Sequence, residues 1–202
     1  MLDTDQGWYQ TIELEPGLTT HGCLYCGDPA WKNIQIFLPP SLKGMRILDL
    51  GCNAGIFCVR SALRGARECI GIDSNDWKED TDYLRQARFV KEHFENYLGK
   101  QLPIRYIEGR MEEVLKRDLG KFDYCYAIAS LYYTTDPEYV VQRISEISEN
   151  VIVRLRDENR IRRFTELFEK FGYKMLASMQ ERWWEVLNIP TDDFYLYHYA
   201  RK

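Results

Sequence analysis

At 202 residues the chain is long enough to bury a sizeable core within one domain. Hydrophobic residues make up 45% and charged residues 29%, which excludes a disordered chain. The formal net charge of -4 excludes a global pull toward phosphate backbones or anionic lipid, although a local basic patch stays open.

The opening Met1-Leu2-Asp3-Thr4-Asp5 has neither a basic start nor an apolar run, and no stretch approaches membrane-spanning length. The expectation is a cytoplasmic protein without a membrane partner. Residues 1–44 place Trp8, Tyr9, Trp31 and Phe37 between Gly and Pro punctuation, which predicts an aromatic-rich cap segment ahead of a core over 45–202, together one domain. Within the cap, Cys23-x-x-Cys26 with His21 nearby has a metal-like spacing. A structural zinc needs four ligands and no second C-x-x-C completes the set, so no metal is assigned. The six cysteines are dispersed in apolar patterns, where reduced Cys acts as a small hydrophobe.

The core alternates short β-rich runs with amphipathic helical ones, the pattern of a mostly parallel α/β sheet with helices on both faces. Seven strands are expected: Met45–Leu50, Glu68–Ile72, Ile104–Ile107, Phe122–Ala127, Val151–Leu155, Tyr173–Ala177 and Phe194–Ala200. Helices are expected at Ile56–Arg64, Tyr83–Leu98, Met111–Arg117, Pro137–Ile147 and Glu158–Phe171, with Asp136 as an N-cap and Gly172 as a C-terminal stop.

The first strand runs into Asp49-Leu50-Gly51-Cys52-Asn53-Ala54-Gly55, and the second ends on Asp73. A dinucleotide turn needs G-x-G-x-x-G, but Asn53 and Ile56 replace two of the three glycines, which disfavours NAD and FAD. The spacing D-x-G-x-N-x-G suits S-adenosylmethionine instead. That cofactor has no pyrophosphate; its methionine ammonium can meet Asp49 directly or through water, its carboxylate suits backbone N–H groups, and its ribose hydroxyls suit Asp73.

Those residues, with Trp8-Tyr9-Gln10-Thr11-Ile12-Glu13-Leu14, Tyr83-Leu84-Arg85-Gln86-Ala87-Arg88-Phe89, Phe122-Asp123 and Leu131-Tyr132-Tyr133, carry a resemblance. The chain resembles class I S-adenosylmethionine-dependent methyltransferases, in the branch related to tRNA wobble-uridine (carboxy)methyltransferases. The resemblance implies a Rossmann-like fold and a cofactor site at Asp49, Gly51, Cys52, Asn53, Gly55, Asp73, Ser74, Asn75, Trp77, Met111, Glu112, Ala129 and Ser130. It implies a substrate-facing Tyr132, with Tyr133 in place of the branch's histidine; Gln10 likewise replaces a histidine. Basic residues follow this turn in carboxymethyl-transferring relatives, whereas Thr134 and Thr135 follow here, so ordinary S-adenosylmethionine is the expected donor and S-adenosylhomocysteine the product.

Three functions are carried forward. The first is methyl transfer to a small molecule, favoured by the acidic charge balance and by Trp183-Trp184 as a pocket wall. The second is tRNA modification, for which Arg154, Arg156, Arg160, Arg162 and Arg163 offer a candidate patch, although interleaved acids suit a solvated face better. The third is a catalytically silent cofactor-binding regulatory subunit.

Overall fold

The computed structural model describes residues 7–76, 81–181 and 194–201. It opens with four short strands, β1 (Gln10–Thr11), β2 (Glu13–Glu15), β3 (Leu18–Thr19) and β4 (Cys23–Gly27), followed by helix α1 (Asp28–Ile34) and a 3-10 turn over Gln35–Phe37. The expected aromatic cap is thus a small β-α unit. β1 pairs with β4 in parallel and β2 with β3 antiparallel. Trp8 and Trp31 are buried, and Trp31 stacks on Phe57 with ring centroids 6.3 Å apart.

The core follows as β5 (Arg46–Leu50), α2 (Ile56–Leu63), β6 (Glu68–Asp73), α3 (Tyr83–Leu98), β7 (Ile104–Glu108), α4 (Met111–Val114), β8 (Phe122–Ile128), α5 (Pro137–Ile147), β9 (Ser148–Arg156), α6 (Glu158–Lys170), β10 (Tyr173–Glu181) and β11 (Phe194–Arg201). Seven strands form one sheet in the order β10-β11-β9-β8-β5-β6-β7. Pairs from β9 through β7 are parallel; β11 runs antiparallel to both neighbours. Chain order reverses between β5 and β8, which opens a crevice beyond their carboxyl ends.

Side-chain alternation along the strands supplies two cores. Ile47 of β5 faces a cluster containing Trp31, Phe57, Val59, Val90 and Phe94, whereas Leu48 and Leu50 face one containing Val114, Val140, Ile144, Phe164 and Phe168. Helices α1, α2 and α3 therefore cover one face and α4, α5 and α6 the other. Aspartates start three of the helices: Asp82, Asp136 and Asp157 accept hydrogen bonds from the backbone N–H of Arg85, Tyr139 and Arg160.

Boundaries moved by more than one residue in three elements. α4 ends at Val114 rather than Arg117, because the chain tightens there from i−4 to i−3 bonds, Lys116 N donating to Glu113 O at 3.3 Å and Arg117 N to Val114 O at 3.0 Å. β9 begins at Ser148 and runs to Arg156, and β10 runs on to Glu181. Both extensions are held by ladder partners on β8 and β11, which periodicity within one segment cannot reveal.

Arg154 is not part of a solvated face. It is 1% exposed, its Nε donates to Glu181 Oε2 at 2.6 Å, and its guanidinium lies 3.9 Å from the Phe194 ring centroid. Asn33 Nδ2 donates to the other Glu181 oxygen at 2.6 Å, tying α1 to the end of β10. Removing one member of such a pair strands a buried charge. Glu181→Ala should cost about 3–5 kcal/mol in urea unfolding, while Arg154→Met combined with Glu181→Leu should cost much less. Equal losses would show that packing, and not the uncompensated charge, sets the effect.

Candidate active site

A cleft of about 330 Å³ opens across the carboxyl ends of β5, β6, β7 and β8. Gly51 and Asn53 line it after β5, Ile72, Asp73 and Ser74 at the end of β6, Met111 after β7, and Ala129 and Ser130 after β8. All of these positions except Ile72 were expected from the sequence. Tyr133 also lines the cleft and is half exposed.

The turn after β5 is held by backbone bonds to its neighbour. Gly51 N and Cys52 N both donate to Ile72 O, at 2.8 and 3.0 Å. Gly51 has φ 74°, and a Cβ there would lie 2.5 Å from Ser130 Cβ, so only glycine lets the two loops close on the cleft. Asn53 sits at φ 51° and its side-chain oxygen accepts from Ala54 N at 2.8 Å. The Asp73 carboxylate accepts from Asn53 N at 2.8 Å and from Asn75 N at 3.1 Å. Burial raises the Asp73 carboxyl, opposed by those N–H groups.

Several expected site residues stand elsewhere. Asp49 shares the parity of Ile47, so its carboxyl points toward α2 and away from the cleft wall, with Oδ2 3.8 Å from Cys58 Sγ. It is 1% exposed, and its Oδ1 has no partner among the described residues. Burial first, then the Asp73 charge, push Asp49 up to about 8. Cys52 is fully buried and packs near Gly71. Gly55 precedes α2 and abuts the Tyr106 hydroxyl. The Asn75 side chain instead braces the start of α3, donating to Asp82 Oδ1 and accepting from Leu84 N, both at 3.1 Å.

Glu112 is a structural acid. Its Oε1 accepts from Thr134 Oγ1 at 2.5 Å, Thr135 N at 2.6 Å and Thr135 Oγ1 at 3.1 Å, which anchors the loop after β8. Burial opposes its ionisation, yet these donors hold its carboxyl down at about 2. Tyr132, the expected substrate-facing residue, does not line the cleft. It packs beneath Arg160 and Arg156, whose guanidinium carbons lie 4.6 and 5.7 Å from its ring centroid, and burial pushes its hydroxyl up to about 12. Within the 3-10 turn over Leu131–Tyr133 the neighbouring Tyr133 takes the cleft position. Trp77, Trp183 and Trp184 lie outside the described residues.

The sequence reading missed the roof. Tyr9, Gln10 and Tyr83 all line the cleft. Gln10 is 4% exposed, and its Oε1 lacks a partner among the described residues, as does Ser130 Oγ. Two of the three roof residues lay inside the Trp8-Tyr9-Gln10 segment, whose resemblance was a usable signal. Arg110 lines the rim but donates to Asp76 at 2.9 Å and lies 3.9 Å from Glu112, and Arg160 pairs with Asp157 at 3.1 Å.

These features fit S-adenosylmethionine. Unpartnered Asp49 Oδ1 and the carboxylate of Asp73 make the floor electronegative, as a cationic ligand requires; Ile72 and Met111 offer apolar walls, and the Gly51 approach leaves room against the backbone. The methyltransferase domain family matches residues 25–183, well over half of the chain. The tRNA U34 carboxymethyltransferase of Alcanivorax borkumensis is 34% identical over 110 residues, 54% of this chain and 30% of that protein. The chain thus spans less than a third of that relative's length. A putative S-adenosylmethionine dependent methyltransferase from Listeria monocytogenes shares the fold with a TM-score of 0.63 at 14% identity, covering 85% of this chain and 97% of that one. The N-terminal domain of EvdMO1, solved with S-adenosylhomocysteine bound, aligns with a TM-score of 0.63 at 15% identity over 96% of this chain and 91% of its own. The chain therefore belongs to the methyltransferase domain family, as a class I S-adenosylmethionine-dependent methyltransferase related to the tRNA U34 enzymes.

Proposed function

We propose that the chain methylates a small molecule held beneath Tyr9, Gln10 and Tyr133, with ordinary S-adenosylmethionine as donor. The observation that carries this reading is the paired state of the rim: Arg110 is matched by Asp76 and Glu112, so this cation is already matched before any phosphate arrives. Glu112 also argues against a carboxylated donor, since an ionised acid fastens Thr134 and Thr135 where carboxymethyl-transferring relatives carry basic residues.

When bound, the cofactor supplies an electrophilic sulfonium methyl. The protein's part is then placement. Asp73, held by two backbone N–H groups, accepts from the ribose hydroxyls. Ile72 and Met111 wall the adenine, with Ser74 beside them. Ala129 and Ser130 border the methionine end, and Gly51 keeps that space open. Gln10 Oε1 accepts a hydrogen bond from an N–H or O–H of the acceptor molecule, and the Tyr133 hydroxyl orients it. A cationic ligand seated above the turn would favour the ionised form of Asp49, whose carboxyl burial holds at about 8 in the ligand-free chain. A second reading, a tRNA acceptor, is supported by the name of the curated relative and by Arg156 and Arg160 stacked on Tyr132 near the rim.

Asp73→Ala should weaken S-adenosylhomocysteine binding roughly 10- to 100-fold by calorimetry, the effect of losing charge-assisted hydrogen bonds. Unchanged affinity would remove Asp73 from the site. Tyr133→Phe should lower kcat while leaving that affinity within about twofold, whereas Tyr132→Phe should change neither.

The small-molecule and tRNA acceptor readings part on salt. Turnover of a small neutral acceptor should be nearly flat from about 50 to about 200 mM salt, whereas activity on tRNA should fall steeply over that range.

Asp49 predicts a pH dependence for the ligand-free chain. Its unfolded carboxyl ionises near pH 4, roughly, and its folded one near 8, so between these the folded state binds more protons. The stability it contributes is complete below about pH 4 and is lost as pH rises through about 8. Asp49→Asn should flatten that slope in unfolding measured at about pH 5 and about pH 8. An unaltered slope would assign the dependence to other groups.

A further inference from the structure

Tyr132 and Tyr133 share one 3-10 turn over Leu131–Tyr133, with ring centroids 4.7 Å apart, yet only Tyr133 lines the cleft. The turn is closed by Tyr133 N donating to Ser130 O at 3.0 Å and by Thr134 N donating to Leu131 O at 3.3 Å. These bonds hold its shape but not its rotation about its own axis. Successive side chains of such a turn point about 120° apart, so a rotation of that size would exchange one ring for the other.

The rotation is held from outside. On one side Arg160 and Arg156 lie over the Tyr132 ring. On the other, Glu112 Oε1 takes the residues that follow the turn, accepting from Thr134 Oγ1 at 2.5 Å, Thr135 N at 2.6 Å and Thr135 Oγ1 at 3.1 Å. Thr134 Oγ1 in turn accepts from Asp136 N at 3.2 Å, at the cap of α5. Glu112 itself is 8% exposed and does not line the cleft, so it acts on a ligand only through the loop that it holds. The preceding Arg110 does line the cleft and crosses its mouth. Its Nη1 donates to Asp76 Oδ2 at 2.9 Å, its Nη2 makes a long bond of 3.5 Å to Tyr133 O, and its Nε lies 3.9 Å from Glu112 Oε2.

We propose that Glu112 is a positioning residue for the acceptor: it fixes the loop after β8 so that Tyr133, and not Tyr132, faces the cleft, while Arg110 braces the same turn across the mouth. The inference rests on the reading that Tyr133 orients the acceptor, and adds what keeps Tyr133 there. An ionised acid suits the task, because hydrogen bonds to a charged acceptor are shorter and stronger than neutral ones. Burial opposes the charge on Glu112, and the threonine donors outweigh it.

The test needs no acceptor. The full chain is labelled with 3-fluorotyrosine, the Tyr133 fluorine resonance is assigned by its loss in Tyr133→Phe, and S-adenosylhomocysteine is the probe. In the wild-type chain saturating ligand should shift that resonance. In Glu112→Ala the shift should disappear while calorimetric affinity stays within about twofold. Glu112→Gln should restore the shift in part, since its side-chain carbonyl offers the same acceptor without the charge. Thr134→Val combined with Thr135→Val removes both hydroxyl donors with Glu112 in place and should diminish the shift, which decides the matter if Glu112→Ala does not fold. A full shift in Glu112→Ala or in the double threonine variant, or an affinity loss beyond that margin in Glu112→Ala, would overturn the positioning role alone. A wild-type resonance that ignores bound ligand would overturn it together with the role of Tyr133, and a wild-type chain that binds no ligand would remove the cofactor reading beneath both.

Discussion

The Asp73 carboxylate joins three pieces of backbone that would otherwise be independent. One oxygen takes the N–H of Asn53 in the turn after β5, and the other takes the N–H of Asn75 as the chain leaves β6. The Asp73 carbonyl meanwhile accepts from Gly109 N after β7 at 2.9 Å. Three strand ends are thereby set in register around one acidic group at the point where the sheet reverses its order. The same contacts leave Asp73 facing the cleft with its geometry already established, so a ligand meets an acceptor that needs little reorganisation.

Charge is arranged in layers beneath and around that group. Among the described residues Asp49 Oδ1, below the turn, has no hydrogen-bond partner, while Arg110 at the cleft is matched by Asp76 and Glu112. The floor is therefore the electronegative part of the site and the rim is close to balanced. This suits a cationic cofactor seated deeply, with the acceptor entering past the N-terminal unit. Within that unit Tyr9 and Gln10 close the cleft.

Strands and helices were legible because their side-chain periods are local, and every core element appears within one residue of where periodicity placed it, apart from the ends of α4, β9 and β10. Those ends depend on partner strands and on the tightening of the chain after Val114. The site was legible in part. Gly51, Asn53, Asp73, Ser74, Met111, Ala129 and Ser130 line the cleft because each sits at a strand end on the switch-point side. Tyr132 and Tyr133 could not be told apart from sequence, since rotation within one 3-10 turn decides which ring faces inward. Glu112 looked like a ligand group but is spent on Thr134 and Thr135, a contact 22 positions distant.

By itself, the sequence determined the alternating architecture, the glycine turn without a pyrophosphate pattern, and hence the class of donor, because strand period, helix caps and turn glycines act over a few neighbouring residues. Only the tertiary structure decided which groups share the cleft. It sent Asp49 toward α2, folded Tyr9 and Gln10 over a site built some forty residues later, and buried Arg154 against Glu181. Each of these depends on contacts between segments distant in the chain, which no local period encodes.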